Sequence, residues 1–397
     1  MFANIISNIF SVGINIISPL IIIPILTQSM GLDAYGEYVA AIAFSALICV
    51  VVDFGFGLYI PKKLSLDNTL KNIKETVSSF LLIKIASLPI IFISVFLVYP
   101  DYIFELSIFT FSLSLNFSPI LNGLQEYKRL SLYTLISKSF LVIFVVFLDF
   151  TSSGIAKAIL IQGLSWLVFN ALAFQTIQHE YCKGELLKSV SIRSAYRLIS
   201  DSFEFFIARL FVNIYQHSST FMVSFILTES LVALYSIVIQ LYKVGQAVIG
   251  AVSRVLFTEM LRTRNLKHLL TVVNYQLLIW LIGLVIVLIF GDLLLDLVFV
   301  FDVTELNELA VICYTSLLFV IVSSSLGYPF LSPIDKDKIA HASIFISALS
   351  YYLFFIISCI FSKGNVYALV WCVALSDMVG MVIRLYFFKV YKNKYNC

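Results

Sequence analysis

Six fully charged side chains lie inside long apolar runs of the sequence, where an isolated charge is costly. Two are carboxylates, four are cations, and a histidine follows one of the cations closely; the seven residues are Asp53, Lys84, Lys138, Arg209, Lys243, Asp377 and His217. A cation in apolar surroundings can hold an anion such as a phosphate, because burial of that anion requires compensating positive charge. A carboxylate or an imidazole in the same surroundings can carry a proton or a cation. These residue types therefore indicate anion binding and ion coupling.

The depth of these charges predicts that they face protein or water. At the centre of a bilayer each costs about 2.5–3.5 kcal/mol, so six facing lipid cost on the order of 15–20 kcal/mol, more than the stability of a typical protein. We therefore predict a substrate cavity lined by cations and by polar residues of the first and seventh apolar helices: Lys84, Lys138, Arg209, Lys243, Asn15, Asn213 and Gln216. The candidates for ion coupling are Asp53, Asp377 and His217.

Each of these residues also has a structural interpretation. Lys84 and Arg209 lie near the predicted cytoplasmic ends of their helices, so each side chain can extend its charge to the interface. Lys138 and Lys243 lie nearer the middle of their helices, which favours the cavity role for them. The two aspartates can neutralise buried lysines in structural ion pairs, and the histidine can be a hydrogen-bonded packing residue. The sequence leaves these alternatives open.

The elements that position these residues are membrane-spanning helices. Of the 397 residues, 60% are hydrophobic and 12% are charged, which leaves too little polar surface for a water-soluble fold. A helix of about 20 apolar residues crosses the hydrocarbon of a bilayer. The apolar runs between helix breakers predict an all-α integral membrane protein with about twelve transmembrane helices, roughly at residues 4–27, 36–60, 76–98, 102–122, 130–149, 154–177, 203–227, 230–254, 269–290, 306–328, 338–361 and 365–388.

The connections between these helices alternate in charge. Every second connection is rich in lysine and arginine, whereas the others are mainly acidic. Since short cytoplasmic loops retain positive residues, we expect both termini to be cytoplasmic. The longest connection falls at the midpoint of the chain, which predicts two six-helix bundles around a central cavity. The predicted domains are residues 1–177, a cytoplasmic linker at 178–202, and residues 203–397 with a short cytoplasmic tail.

Signatures of other function classes are absent or weak in this sequence. It has no G-x-x-x-x-G-K-[ST] motif, so built-in nucleotide hydrolysis is not expected, and its six cysteines have no paired spacing that predicts a disulfide or a metal site. Asp335-Lys336-Asp337 matches the D-x-D pattern of sugar transferases, but its short loop cannot house a nucleotide-sugar domain. Membrane topology explains the basic loops without nucleic acid. We therefore expect a protein that is not an enzyme and that needs no cofactor.

The opening of the chain carries a resemblance to a known family. A first helix that contains Ile21-Ile-Ile-Pro-Ile-Leu26 leads into the turn Gly31-Leu-Asp-Ala-Tyr-Gly36, and Asp53-Phe-Gly-Phe-Gly57 follows within the second apolar run. With the twelve-helix layout, this pattern resembles the bacterial polysaccharide-biosynthesis flippases, the Wzx-type O-antigen transporters. These flippases belong to the multidrug/oligosaccharidyl-lipid/polysaccharide exporter superfamily. The layout covers the whole chain, whereas the motif-like similarity is confined to about the first 65 residues.

The resemblance implies a multi-pass protein of the bacterial inner membrane, in contact with membrane lipids. Its activity is then the transfer of an undecaprenyl-pyrophosphate-linked oligosaccharide from the cytoplasmic to the periplasmic leaflet by alternating access. An O-antigen polymerase and a chain-length regulator are further candidate partners. The family offers no universal motif from which site residues can be carried over, so the cavity residues predicted above rest on depth and charge alone.

Four alternatives differ in the sequence feature that each requires. A multidrug cation antiporter of the same superfamily needs a net acidic cavity, whereas the buried charges here are mainly cations. An O-antigen polymerase, an enzyme of similar size, needs a large outer loop with catalytic arginines, which this chain lacks. A lipid II flippase normally has two additional helices. Flippases for capsule or exopolysaccharide share the expected features, so the sequence leaves them open.

Overall fold

The computed structural model describes residues 2–151, 153–183, 191–362 and 364–395. Helices and their short connections account for this part of the chain, and no strand occurs in it. The all-α prediction is therefore confirmed. By packing, the chain divides into two compact units, Met1–Phe221 and Met222–Cys397.

The described residues of the first unit form nine α-helices, the last of which ends just beyond its boundary. Their bounds are α1 Phe2–Val52, α2 Phe56–Leu66, α3 Leu70–Ala86, α4 Leu88–Val98, α5 Ile103–Ser114, α6 Ser118–Gly123, α7 Tyr127–Phe147, α8 Gly154–Thr176 and α9 Ile192–Val223. A π-helical turn, Ile177–Cys182, extends α8. Although α1 is continuous in hydrogen bonding, Gly31 inside it has φ 83° and ψ 168°, a conformation open to glycine that breaks the helix. The break separates the first two predicted helices.

In the described part of the chain, the second unit contains the helices α10 to α15. Their bounds are α10 Glu229–Thr263, α11 Leu266–Asp296, α12 Thr304–Leu326, α13 Tyr328–Leu331, α14 Asp337–Ser362 and α15 Val366–Tyr391. The four-residue α13 begins with Tyr328-Pro329, and the proline stands in its first turn, where its missing N–H costs no hydrogen bond. Here α12 and α13 together correspond to the tenth predicted helix.

Ten candidate membrane spans occur among the described residues by length and composition. One of them, Phe10–Val52, has 43 residues, about twice the length that a bilayer requires, and the break at Gly31 divides it into two of the predicted helices. The seventh predicted helix lies in α9, where the side chains of residues 208–218 are outside the described part. The protein is therefore a multi-pass membrane protein, and the cytoplasmic location of its termini stays a prediction.

Each unit has its own apolar core. In the first, the rings of Phe56, Phe80 and Phe117 pack edge to face, with centroids 5.9 Å and 5.5 Å apart in the two successive pairs. In the second, buried Met260 and Phe330 belong to a cluster between α10, α13 and their neighbours. Aromatic pairs at these separations add to the burial of apolar area that holds helices together. The cores fix the helix faces on which the polar residues lie.

The segment predicted to link the two halves, residues 178–202, packs partly onto the first core. Ile177 and Cys182 of the π-helical turn are buried, as are Ala195 and Leu198 at the start of α9. The boundary between the two units falls between residues 221 and 222, near the end of α9, because the start of that helix packs in the core of the first unit. Residues 184–190 lie outside the described part, and the linker stays a prediction.

Candidate functional site

Helix α7 presents a stripe of polar side chains to α1 and α8. Ser131 donates a hydrogen bond to the main-chain oxygen of Ser7 in α1, and Ser137 donates one to the oxygen of Ser165 in α8 at 2.6 Å. The hydroxyl groups of Ser11 and Thr134 lie 3.2 Å apart. Residues spaced three or four apart share one helix face, so 131, 134, 137 and 138 point to the same side. These bonds hold α7 in a fixed rotation, with Lys138 directed into the first unit.

A polar cavity of about 180 Å³ lies at this stripe. Four helices contribute to it: α1, α6, α7 and α8, through Ser11, Asn15, Ser118, Leu130, Thr134, Ser137, Lys138, Trp166 and Phe169. Two predicted cavity residues, Asn15 and Lys138, therefore line the same space. The volume exceeds that of several waters at about 30 Å³ each, and polar walls make such a space suitable for water or a hydrated group.

The charge in this cavity is positive. The ammonium of Lys138 lies 4.9 Å from the centroid of the Trp166 ring, and among the described residues no carboxylate approaches it within 4.0 Å. An aromatic face attracts a cation without cancelling its charge. The amide nitrogen of Asn15 donates a hydrogen bond to the Ser11 main-chain oxygen at 3.1 Å. The ammonium can therefore bind an anionic group that enters this space.

Sequence reasoning missed Trp166 at this site. The tryptophan lies on α8, 28 positions from Lys138, and nothing in its immediate sequence marks it as a cavity residue. One signal was present: tryptophan is among the rarest residues of this chain, with three in 397. Only the packing of α7 against α8 brings its ring to the lysine.

Lys84 and Asp53 lie together at the break between α1 and α2. The Lys84 ammonium is fully buried and donates to the Val52 main-chain oxygen at 3.0 Å, and it lies 3.9 Å from an Asp53 carboxylate oxygen. The rings of Phe56 and Phe80 flank it, each centroid 5.4 Å away. This pair fits the structural ion pair that the sequence left open. Lys84 is not among the residues that line the cavity around Lys138.

The motif Asp53-Phe-Gly-Phe-Gly57 forms this break, and α9 packs against it at Gly55. Phe54 and Gly55 have φ values of 47° and 76°, in the left-handed region, and the other carboxylate oxygen of Asp53 accepts the Gly57 N–H at 3.3 Å. A Cβ atom on Gly55 would lie 2.5 Å from the main-chain nitrogen of Phe206 in α9. Glycine is therefore required twice at this position, for its backbone angle and for the close approach of α9.

In the second unit, Asp377 is held by a neighbouring helix. Tyr242 of α10 donates its hydroxyl hydrogen to the Asp377 carboxylate, and Gln246 donates to the Tyr242 oxygen at 2.8 Å. Among the described residues no lysine or arginine nitrogen lies within 4.0 Å of this carboxylate. Lys243, the neighbour of Tyr242 in the chain, is exposed on the surface of its unit. Asp377 is therefore hydrogen-bonded without being paired to a lysine.

Arg384 lies two helical turns after Asp377 on the same face of α15. Its side chain is also buried and donates hydrogen bonds to neighbouring helices. Its Nε donates to the Ser343 hydroxyl at 2.8 Å, and its Nη1 donates to the Ser323 main-chain oxygen at 2.6 Å. These bonds tie α15 to α14 and α12. Arg384 was not predicted from the sequence as a site residue, and its bonds give it a role in holding the three helices together.

The remaining predicted residues lie on α9. Arg209, Asn213, Gln216 and His217 all belong to this helix, and their side chains lie outside the described residues. Their roles stay predictions. Within the described ranges no group of three or more histidine, cysteine or acidic residues is arranged to hold a metal ion.

Comparison with known proteins gives one family match. The model of the family described as polysaccharide biosynthesis protein matches residues 1–258. This range contains the whole first unit, and with it the Lys138 cavity and the Asp53–Lys84 pair. A comparison with curated protein sequences gives no match.

Solved structures with a similar fold extend over nearly the whole chain. The lipid II flippase MurJ in an inward closed conformation has a TM-score of 0.73 at 15% identity. The match covers 98% of this chain and 88% of the MurJ chain. An inward-facing multidrug resistance transporter of the MATE family, in the MOP superfamily, has a TM-score of 0.67 at 12% identity, with coverages of 96% and 99%. The eukaryotic MATE transporter AtDTX14 has a TM-score of 0.61 at 15% identity, with coverages of 99% and 95%. At these identities the similarity establishes the fold.

Proposed function

Because the chain belongs to the family of polysaccharide biosynthesis proteins, we propose that it is a flippase for a lipid-linked oligosaccharide. Membership in this family confirms the resemblance seen in the opening residues of the sequence. The proposed substrate is an undecaprenyl-pyrophosphate-linked repeat unit of O-antigen, and the proposed direction is from the cytoplasmic to the periplasmic leaflet of a bacterial inner membrane. Capsule or exopolysaccharide repeat units are substrates of the same chemistry.

The positive cavity at Lys138 carries this proposal. Its ammonium has an aromatic ring beside it but no carboxylate among the described residues, and hydroxyl groups of three helices surround it. An anionic group that enters gains a charge-assisted hydrogen bond from the ammonium. The hydroxyl groups of Ser118, Thr134 and Ser137 already donate to oxygens of the protein, so the ammonium is the main donor. A pyrophosphate or an acidic sugar supplies that charge. The apolar walls of Leu130 and Phe169 keep the local dielectric low, which strengthens the attraction.

Transport by alternating access requires a source of energy, and Asp377 is the proposed ion-coupling residue. Its carboxylate accepts a hydrogen bond from Tyr242 and has no lysine or arginine partner among the described residues, so it can take up a proton or a cation. Asp53 is less suited to this task because Lys84 already compensates its charge. His217 remains a further candidate on α9. Intramembrane carboxylates are common members of proton pathways in transporters.

A multidrug cation antiporter is the second candidate, since the similar solved structures include several MATE transporters. A cavity for cationic drugs needs negative charge, whereas the space at Lys138 is positive. The flippase is therefore the better supported function. An O-antigen polymerase has less support, because the similar structures reported above are a flippase and transporters.

Deletion of the gene followed by complementation tests the flippase proposal. Without the protein we expect loss of the ladder of surface polymer and accumulation of single lipid-linked repeat units on the cytoplasmic face. Complementation with Lys138→Gln should restore little polymer, because the anion loses its charged partner. Lys128→Gln, an exposed lysine at the start of the same helix, is the matched control and should restore the ladder.

Two outcomes contradict the proposal. If single repeat units still reach the periplasmic face in the deletion strain and only their polymerisation fails, the protein acts after translocation. If Lys138→Gln restores polymer as well as Lys128→Gln does at equal protein level, the cavity at Lys138 does not bind the substrate.

A further inference from the structure

A second cavity, unlike the one at Lys138, lies inside the second unit. It has a volume of about 340 Å³ and lies between α10, α11 and α12. Aliphatic side chains such as Leu241, Val287 and Leu294 form most of its walls. The volume is more than twice that of an engineered apolar cavity that binds benzene, about 150 Å³, and it falls in the range of pockets for small ligands. No step of the proposed transport mechanism uses this space.

The cavity has one polar end. Asn307, three residues after the start of α12, lines it together with Gly291, five residues before the end of α11. The side-chain oxygen of Asn307 is buried and has no hydrogen-bond partner among the described residues. Both residues lie close to the connection between α11 and α12. The polar part of the cavity is therefore near the last residues of α11 and the first residues of α12. The carboxamide oxygen packs against Gly291, where a Cβ atom would lie 2.2 Å from it, so this end of the cavity is formed by an amide whereas most of the remaining wall is aliphatic.

The length of the cavity matches one leaflet of a bilayer. Its lining on α12 runs from Asn307 to Leu317, ten positions further along the helix, which at a helical rise of about 1.5 Å per residue is about 15 Å. The hydrocarbon core of a bilayer is about 30 Å thick, so half of it is also about 15 Å. The polar end lies toward the helix termini and the apolar part toward the middle. An amphiphile in a single leaflet has the same arrangement.

On one side the cavity is bounded by α11, whose outer face is exposed on the unit. Few side chains in the apolar stretch of α11 are buried, and those of Ile282, Val285 and Ile289 are largely exposed on the unit. In a membrane these side chains meet lipid chains, which are present in large excess there. Packed protein interiors contain few voids of this size, because atoms around a void lose their contacts on one side.

We propose that this cavity binds one hydrocarbon chain of a bilayer lipid, with the polar end of that lipid at Asn307. The chain enters beside α11 and extends along α12 toward Leu317. Ala310 leaves the width that the chain occupies on α12, and the Leu317 side chain, which packs against Gly245, closes the far end of the cavity. Tyr242 lines the same cavity and donates its hydroxyl hydrogen to Asp377, so the bound chain touches the ring that holds the proposed coupling residue. This inference goes beyond the proposed function and does not depend on it.

Photolabelling in proteoliposomes tests the proposal. The purified full chain is reconstituted with a phospholipid that carries a diazirine on one acyl chain, irradiated, and mapped by mass spectrometry. We expect labelled peptides on the cavity faces of α10 and α12. Ala310→Leu, which fills the cavity, should reduce this labelling at least tenfold. Val285→Leu, on the exposed side of α11 and outside the cavity, should leave it unchanged.

A second filling variant, Val287→Phe, repeats the test if Ala310→Leu does not yield folded protein. Labelling that persists in the filled variants, or that is confined to the exposed face of α11, overturns the proposal. A parallel experiment uses polyprenyl phosphate with a diazirine in its chain. Labelling by that probe alone overturns the assignment to a bilayer lipid and identifies the chain of the transported carrier instead. Since labelling requires no transport, these results stand apart from the outcome of the complementation test.

Discussion

The Lys84 ammonium donates a hydrogen bond to the main-chain oxygen of Val52, the last residue of α1, at 3.0 Å. The last carbonyl groups of a helix have no partner within the helix, and a positive charge there also interacts favourably with the helix dipole. Lys84 reaches this position from α3, which follows α2 in the chain. A buried lysine therefore closes the end of α1 where Asp53 begins the break before α2.

Lys84→Met is expected to destabilise the protein. The substitution keeps an apolar side chain of similar length but leaves the Val52 oxygen without its donor and Asp53 without its cation. Loss of a buried hydrogen-bonding partner costs about 1–3 kcal/mol, and we place the effect in that range because Asp53 is 36% exposed. The measurement is the thermal unfolding midpoint in detergent. Lys71→Met, an exposed lysine of the same helix, should not shift it, and equal shifts for both variants would falsify the role of Lys84.

Gly55→Ala is expected to disturb the contact between the break and α9. Its φ of 76° costs a residue with a Cβ about 1–2 kcal/mol, and that Cβ would also lie 2.5 Å from the Phe206 nitrogen. Gly13→Ala is the matched control, because nothing lies within 4 Å of a Cβ there and alanine favours a helix by about 1 kcal/mol. Thermal unfolding should therefore move in opposite directions for the two variants. A neutral result for Gly55→Ala would mean that α9 does not pack on this glycine.

Asp377→Asn is expected to uncouple transport from the ion gradient. The amide still occupies the site beside Tyr242 but cannot bind and release a proton. In vesicles, translocation by wild-type protein should respond to an imposed pH gradient, whereas translocation by Asp377→Asn should not. Asp149→Asn, in the exposed connection before α8, provides a control that keeps the response. A gradient response that survives in Asp377→Asn assigns the coupling to another residue, with His217 as the next to test.

Asp302 is expected to make stability depend on pH in the acidic range. The main-chain N–H and the hydroxyl of Thr304 donate to one of its oxygens at 3.0 Å and 2.7 Å, and these bonds lower the pKa of Asp302 from its usual value. A carboxyl whose pKa is lower in the folded state stabilises the protein above its unfolded pKa, about 3.9, and loses that contribution as the pH falls through the folded value.

Thermal unfolding of wild-type protein and of Asp302→Asn measures this dependence. The wild-type midpoint should exceed that of the variant near pH 7, and the difference should shrink between about pH 4 and pH 2. Thr304→Val, which removes one of the two donors, should give an intermediate result. If the difference is the same at both ends of this range, protonation of Asp302 does not contribute to stability.

The sequence by itself determined the membrane-spanning helices. Inside hydrocarbon a chain must satisfy its own backbone hydrogen bonds, so a run of about 20 apolar residues becomes a helix whatever its neighbours are. The turn after the first predicted helix also indicated the break at Gly31, which glycine permits. The predictions of unbroken helices at 36–60, 76–98 and 102–122 were wrong, because the chain is interrupted at 53–55, at 87 and at 115–117. Asn15 and Lys138, which polarity and depth predicted to line a central cavity, line one space within the first unit, and their role in substrate binding stays a prediction.

Only the tertiary structure decided the partners of the buried charges. Periodicity gives the face of a helix on which a residue lies, but the residue that meets it depends on which helices pack together and at what rotation. Thus Lys84 meets Asp53 and Val52, Lys138 meets Trp166, and Asp377 meets Tyr242, 135 positions away. The apolar cavity beside Tyr242 also results from packing, because it exists only where α10, α11 and α12 leave space that no local pattern encodes.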